Sequence, residues 1–368
     1  MKVKFNRQAL AEALGLVASV VPSRTPKPVL HCIRITAQDQ DVHICATNLE
    51  VGLNHLIAEV KIDEPGQAVL DAAKLVAIVR ETIDDVITFE VDDNTCEIKG
   101  SDSHFTIYGQ DPEQFPAVPT FDGQVDIELG LNALQTGIKQ CLFATAKESS
   151  RYAINGVLWE IKGKKLTLVA TDGRRLARTR VSLSAAPSDE ISQQKIIVPA
   201  KTMALLERIS AHEKDRVAIK LVGTQILFQC AQVVISSNLV EGAFPKYEDI
   251  IPKDYDKRLT LSTEVVSSAV RRASLLASEE SKGIKLCISE NSLVFSGRAP
   301  EAGAAEIRMA IDYTGEPINI GFNPQFLSDA LRIVTAENFD LELGQADRPG
   351  MIKSGSDFLY VIMPINLA

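Results

Sequence analysis

The sequence predicts an α+β chain of three similar units, each with two helices packed on antiparallel sheets. Three observations predict it: an internal repeat, two helix starts in each unit, and short runs of alternating apolar residues between them. At an offset of 124, Leu10 falls on Leu134, Leu14 on Ile138, Ile33 on Val157 and Ile44 on Leu168. The tripeptide Ala46-Thr47-Asn48 falls on Ala170-Thr171-Asp172 in the same frame. Phe115-Pro116 and Phe244-Pro245 close the first two units in proline-rich segments, and a third unit begins near Leu259. The implied domains are 1–121, 122–252 and 253–368, and a chain of 368 residues is indeed too long for one compact core.

The elements follow from local chemistry. Asn6 is a good N-cap, and Phe5 before it can staple to Leu10 inside the first helix, read over 7–19. Asp71 starts the second helix, 72–81, and Asn132 the third, 133–148. The fourth, 200–210, follows Pro199; the fifth, 263–278, follows Ser262; the sixth, 324–334, opens at Asn323-Pro324, where proline sits in the tolerated first turn. Alternation over 86–91, 165–169, 217–221, 283–289 and 292–296 reads as strands with one buried face. Helices among many antiparallel strands segregate to one side of the sheets.

Composition excludes several classes. With 45% hydrophobic and 24% charged residues, the chain is neither disordered, collagen-like nor a disulfide-stapled mini-protein. A net charge of −9 excludes bulk attraction to nucleic acid, so any DNA contact needs a local basic surface. The six helical segments carry ten basic and six acidic residues, a balance of +4 against −13 for the rest. That asymmetry suits a phosphate-facing surface and also suits ordinary solvated helix faces; charge alone leaves both open. No apolar run reaches membrane-spanning length and no signal-peptide pattern opens the chain, so no membrane partner is expected. The six cysteines are dispersed without a C-x-x-C pair, which fits a reducing cytoplasm.

The usual phosphate-loop, dinucleotide, zinc-protease and serine-hydrolase motifs are absent, and no catalytic residue, metal or cofactor is expected. His31, Cys32, His43, Cys45 and His55 match no zinc spacing and read as strand packing. Asp172-Gly173 reads as a turn; the alternative is a metal-holding acid of a phosphoryl-transfer enzyme.

Four separated segments carry a family resemblance: Arg151-Tyr152-Ala153-Ile154-Asn155-Gly156, Ala170-Thr171-Asp172-Gly173-Arg174-Arg175-Leu176-Ala177, Phe244-Pro245-Lys246-Tyr247 to Pro252, and Tyr360-Val361-Ile362-Met363-Pro364. In this order, from end to end, the chain resembles the bacterial DNA polymerase III beta subunit, the sliding clamp. The resemblance implies three clamp-type domains per chain and a head-to-tail dimer that closes a six-domain ring lined by twelve helices. Helices roughly 10 Å apart trace a circumference of about 120 Å and leave a hole of roughly 25–30 Å, enough for duplex DNA and water. It implies a non-catalytic processivity factor that tethers the replicative polymerase to DNA in the cytoplasm, associated with the nucleoid. A monomeric peptide-binding scaffold is the other non-enzymatic alternative.

Residue by residue, the resemblance places Arg24, Arg151, Tyr152 and Lys201 near DNA, contacted without sequence specificity. It places Ile154, Thr171, Gly173, Arg175, Leu176, Pro245, Ile250, Val361, Met363, Pro364 and Ile365 in a groove for short linear peptides. Those peptides would come from the polymerase alpha subunit, the clamp-loader delta subunit and repair proteins. Apolar, adaptable side chains such as Met363 and Leu176 suit a groove that accepts several sequences. For the ring joint, the resemblance sets Phe105 and Ile107 of one chain against Leu275 and Leu276 of the other, with Lys74 and Glu301 or Glu306 as flanking ion pairs. His104 and Asp102 stand where the family often carries arginines, which leaves more of the joint to apolar packing.

Overall fold

The computed structural model describes residues 1–58, 60–147, 153–210, 212–277 and 283–366. Arg151 and Tyr152 lie outside the described residues. The six expected helices form as α1 (Arg7–Val17), α2 (Ala72–Glu81), α3 (Leu131–Cys141), α5 (Ala200–Arg208), α6 (Thr263–Ser274) and α7 (Pro324–Ile333), with a one-turn α4 (Asp189–Ser192) that the sequence did not signal. Three caps form as expected: Asn6 Oδ1 accepts from the Ala9 amide, Asp71 Oδ1 from Lys74 and Asn323 Oδ1 from Gln325, at 2.9–3.0 Å. Asn132 does not cap α3. The helix already includes Leu131, and the Asn132 Nδ2 donates to the His212 carbonyl at 3.2 Å. Ser262 occupies the cap position of α6 without a side-chain cap bond. α1 and α3 end earlier than their apolar period suggests, because Ala18–Val20 and Leu142–Ala144 tighten into 3-10 turns.

Every expected strand is present, and the chain forms two compact units that do not follow the threefold repeat: Met1–Asn132 with Leu183–Ile191 and Lys201–Leu239, and Ala133–Ser182 with Ser192–Ala200 and Val240–Ala368. The first unit holds a five-stranded sheet in the order Val60–Glu64, Lys2–Asn6, Val86–Asp92, Thr95–Lys99, His104–Tyr108. Its second sheet has eight strands: Ile127–Gly130, Arg216–Val222, Gln225–Cys230, Val233–Asn238, Val51–Ile57, Asp41–Thr47, Cys32–Gln38 and Gly66–Asp71. The second unit repeats the plan, with eight strands ordered Lys195–Pro199, Gly156–Lys162, Lys165–Thr171, Arg175–Ser182, Phe358–Ile362, Gly350–Ser354, Asn338–Leu343 and Lys257–Ser262. Its smaller sheet runs Gly303–Ala310, Ser292–Ala299, Ile284–Ser289, Ile318–Phe322.

Each eight-stranded sheet is stitched from two repeats. Gly52 of the first repeat pairs antiparallel with Ser236 of the second, and Leu176 of the second pairs with Val361 of the third. The alternating patterns bury one face: Phe5 and Phe89 meet edge to face at 5.0 Å, and α1 lays Leu10 and Leu14 fully buried beneath its exposed face. The opposite face of the five-stranded sheet is a charge ladder. Lys2 pairs with Glu90 at 2.8 Å, Glu90 with Lys99 at 2.5 Å, Lys99 with Glu97 at 2.7 Å and Glu97 with His104 at 3.5 Å. Cys32 and Cys45 are packed with Val29, Leu30, Val69 and Phe115, so the two cysteines build core, while His43 is exposed and His31 and His55 are half-buried.

Candidate partner-binding groove

The segment Thr171–Arg175 connects two paired strands, Lys165–Thr171 and Arg175–Ser182, through a self-bonded turn. The Thr171 hydroxyl donates to the Arg175 carbonyl at 2.7 Å and accepts the Gly173 amide at 3.1 Å. Asp172 Oδ1 accepts the Arg174 and Arg175 amides at 3.0 and 3.1 Å. Gly173 supplies the left-handed φ of 86° that the turn needs. These bonds give Asp172 the turn role; its other oxygen takes the Arg175 Nε at 2.9 Å.

Leu176 follows directly and pairs with Val361 on the neighbouring strand. Both belong to one buried cluster with Ala153, Leu158, Val169, Ile197, Tyr247, Met351 and Leu359, against which Ile250, Ile251, Phe244 and Val240 pack half-buried. Burial leaves Thr171, Leu176, Val361 and Ile154 as floor, while Pro245, Ile250, Pro364 and Ile365 are half-buried and Met363 keeps 38% of its surface. Three hollows open here. One of about 300 Å³ lies beside Pro245 with Leu158, Ile197, Phe244 and Tyr247 in its wall. A second, about 940 Å³, takes Ile250 and Met363, and a third, about 560 Å³, takes Pro364 and Ile365. Leu158, Ile197 and Tyr247 were not foreseen as lining residues; they belong to the buried cluster, and only the fold shows that this core reaches a wall.

The chain's last described residues are tied down beside these hollows. The Met363 amide donates to the Arg174 carbonyl and the Ile365 amide to the Gly321 carbonyl, each at 2.9 Å. Tyr247 donates to Glu160 at 2.5 Å and Lys195 pairs with the same carboxylate, so the rim beside Pro245 is polar. Burial, then the Glu160 carboxylate, push the Tyr247 phenol above its ordinary range, so it stays a hydrogen-bond donor.

Arg175, expected in the groove, is bonded into the fold. Its side chain is 10% exposed and every arm is used inside the fold: Nε on Asp172, one Nη on Asp329 at 2.7 Å, the other on the Phe143 carbonyl at 2.8 Å. Its plane lies 4.4 Å from the centre of the Phe326 ring. Asp329, Phe326 and Phe143 were missed, since nothing local links residue 175 to residue 329.

The remaining expected residues are spread as follows. Arg24 is exposed in a bend and Lys201 is exposed in the first turn of α5. His104–Tyr108, with half-buried Phe105, is an outer strand of the five-stranded sheet, and Gly303–Ala310, with exposed Glu306, is an outer strand of the four-stranded one. Ile107 is already buried in its own unit, so the side chains offered by that edge are Phe105 and the unforeseen Tyr108, 81% exposed. Leu275 is 79% exposed, Leu276 half-buried, and Lys74 and Glu301 are exposed. Glu306 pairs with Arg308 on its own strand at 3.2 Å.

Three family models match the chain: the N-terminal domain of the DNA polymerase III beta subunit over 1–119, its central domain over 128–246 and its C-terminal domain over 248–366. A beta sliding clamp from Pseudomonas putida is 32% identical over 373 residues, and one from Pseudomonas aeruginosa 30% identical over 370, each match covering 100% of both chains. Among solved structures, the sliding clamp from Pseudomonas aeruginosa bound to griselimycin superimposes with a TM-score of 0.93 at 30% identity. A sliding clamp from Bacillus subtilis gives 0.93 at 27% identity; both cover 100% of each chain.

Proposed function

We propose, from the premise that the chain belongs to the DNA polymerase III beta subunit family and is a DNA sliding clamp, the following account of how it works. Two copies join head to tail into a ring of six domains, with boundaries at 1–121, 122–252 and 253–368 in each chain. The joint pairs the outer strand His104–Tyr108 of one copy with the outer strand Gly303–Ala310 of the next. Both edges carry unpaired backbone groups, and exposed Tyr108 and Leu275 supply apolar area beside Phe105 and Leu276. The charge partners Lys74, Glu301 and Glu306 lie at solvent and add roughly 0–1 kcal/mol each.

The ring holds duplex DNA by topology, so its basic residues need only weak phosphate contacts that permit sliding. Arg24 and Lys201, exposed in this structure, serve that purpose together with Arg151 and Tyr152. The clamp itself performs no chemistry; it tethers the replicative polymerase alpha subunit, and in turn the clamp-loader delta subunit and repair proteins, through short linear peptides. The work is done in the cytoplasm, on the nucleoid.

The observation that supports the groove reading is the buried apolar cluster of Leu176 and Val361 with Ile250 packed half-buried on it, beside one hollow at Pro245 and another shared by Ile250 and Met363. Griselimycin, found on the Pseudomonas aeruginosa clamp, is the probe for this site. Calorimetric titration should give one griselimycin per chain, and deleting Met363 to Ala368 should abolish binding while the molar mass in solution stays that of a dimer. Unchanged binding would remove the tail from the site, and a monomer at every concentration would favour a scaffold that does not encircle DNA.

A further inference from the structure

Arg175 sits where a groove contact is expected, yet each of its three side-chain nitrogens is bonded within the fold. Its three hydrogen bonds go to Asp172, Asp329 and the Phe143 carbonyl, and its plane is covered by Phe326. Asp329, 15% exposed, is itself held: its second oxygen accepts the Gln325 Nε2 at 2.7 Å, and the Gln325 amide is capped by Asn323. Tyr360, two residues before Ile362, donates its hydroxyl to the Phe326 carbonyl at 3.1 Å. A charged, bidentate-capable fork clamped between two carboxylates and a ring is a rigid joint, not a spare binding arm.

What the joint fixes is on both sides of the groove. On one side it ends the turn whose next residue is Leu176; on the other it anchors the first turns of α7. The carbonyl of Arg174, held in the same turn, receives the Met363 amide. We propose that Arg175 and Asp329 are a positioning pair, which makes no contact with the bound peptide and sets the distance between Leu176 and Met363 across the groove. A small shift of this turn moves floor and rim together, which is how a supporting pair away from the ligand governs affinity. The inference rests on the groove reading given above.

The experiment uses the full chain with Asp329→Asn, Asp329→Glu, Arg175→Ala and the double variant Arg175→Ala/Asp329→Asn. Amide hydrogen exchange is read at Met363 and, as an internal reference in the same tail, at Ile365, which bonds to Gly321 instead. Met363 is expected to exchange about tenfold faster in Asp329→Asn and in Arg175→Ala while Ile365 keeps its rate, and Asp329→Glu to restore most of the protection. Griselimycin affinity is expected to fall by a similar factor, about tenfold, in each single variant and no further in the double variant. Equal acceleration at both amides, or none at Met363, overturns the proposal. So does a loss of griselimycin affinity in Arg175→Ala alone, which would make Arg175 a direct contact. If the parent protein does not bind griselimycin, the groove reading fails, and the exchange comparison still decides whether the pair holds the turn.

Discussion

The turns at Thr47–Val51 and Thr171–Arg175 are one design used twice: each accepts an amide from the next repeat, Asn238 on the Glu50 carbonyl and Met363 on the Arg174 carbonyl, both at 2.9 Å, and only the second is also tied to a helix by a side chain. In the first, the Thr47 hydroxyl donates to the Val51 carbonyl and accepts the Leu49 amide, both at 3.0 Å, while Asn48 Oδ1 accepts the Glu50 and Val51 amides. Bond for bond this is the arrangement around Asp172. Of the six matched positions only the threonine is shared, and three of the differences bear on the site. Leu49 stands in the left-handed position where the second turn has Gly173, with φ 77° against 86°. Val51 replaces Arg175, so the joint to a distant helix is absent. Gly52, paired with Ser236, replaces Leu176, paired with Val361. A Cβ on Gly52 would lie 2.7 Å from the Ser236 Oγ and 2.8 Å from Val118 Cγ1, so Val118 already fills that space. The backbone of this turn is present twice in the fold, and the residues placed on it differ.

The largest way to break this comparison is Arg175→Ala. It leaves the half-buried Asp172 and Asp329 without their cation, and the expected loss is about 3 kcal/mol of unfolding free energy by urea titration. Val51→Ala at the matching place should cost only about 2 kcal/mol. Next comes Gly52→Leu, which rebuilds the second turn's apolar residue in the first turn. The collision with Val118 and Ser236 should cost roughly 1–3 kcal/mol and create no griselimycin site, since no Arg175 equivalent positions it. Smaller still, Leu49→Gly should raise stability by about 1 kcal/mol by relieving a left-handed leucine, and Gly173→Ala should lower it by a similar amount.

The smallest effect sharpens the contrast between buried and exposed ion pairs. Hydrogen bonds from Lys2 and then Lys99 pull the Glu90 carboxyl from 4.5 down to about 2. A depressed carboxylate stabilises the fold above its unfolded value of 4.5, and that contribution is lost as pH falls toward about 2. Acid titration of the unfolding midpoint should therefore show a shallower decline between these values in Glu90→Gln, and the difference should shrink in high salt because the ladder faces solvent.

Helix starts were legible because capping is local: Asn6, Asp71 and Asn323 each carry the acceptor and the helix within three residues. Asn132 misled because the helix starts one residue earlier, at Leu131, which puts Asn132 inside its first turn. Strands were legible from alternation, and the repeat gave the matching turns. Sequence alone could not show that strands of different repeats pair, since the bonds joining Gly52 to Ser236 leave no periodic trace. The groove floor could be carried over from a resemblance, but the interlock of Arg175, Asp329 and Phe326 could not. It depends on three segments that meet only after folding.

The stitched sheets also decide how this molecule can be taken apart. A cut at the end of the first repeat would strip Val51–Ile57 from Val233–Asn238, and a cut before the third would strip Arg175–Ser182 from Phe358–Ile362. Each leaves two bare, apolar strand edges that recruit any neighbour of like kind. Single repeats expressed alone are thus destined for inclusion bodies, and a library of fragments from this chain would survey aggregation and not domain function.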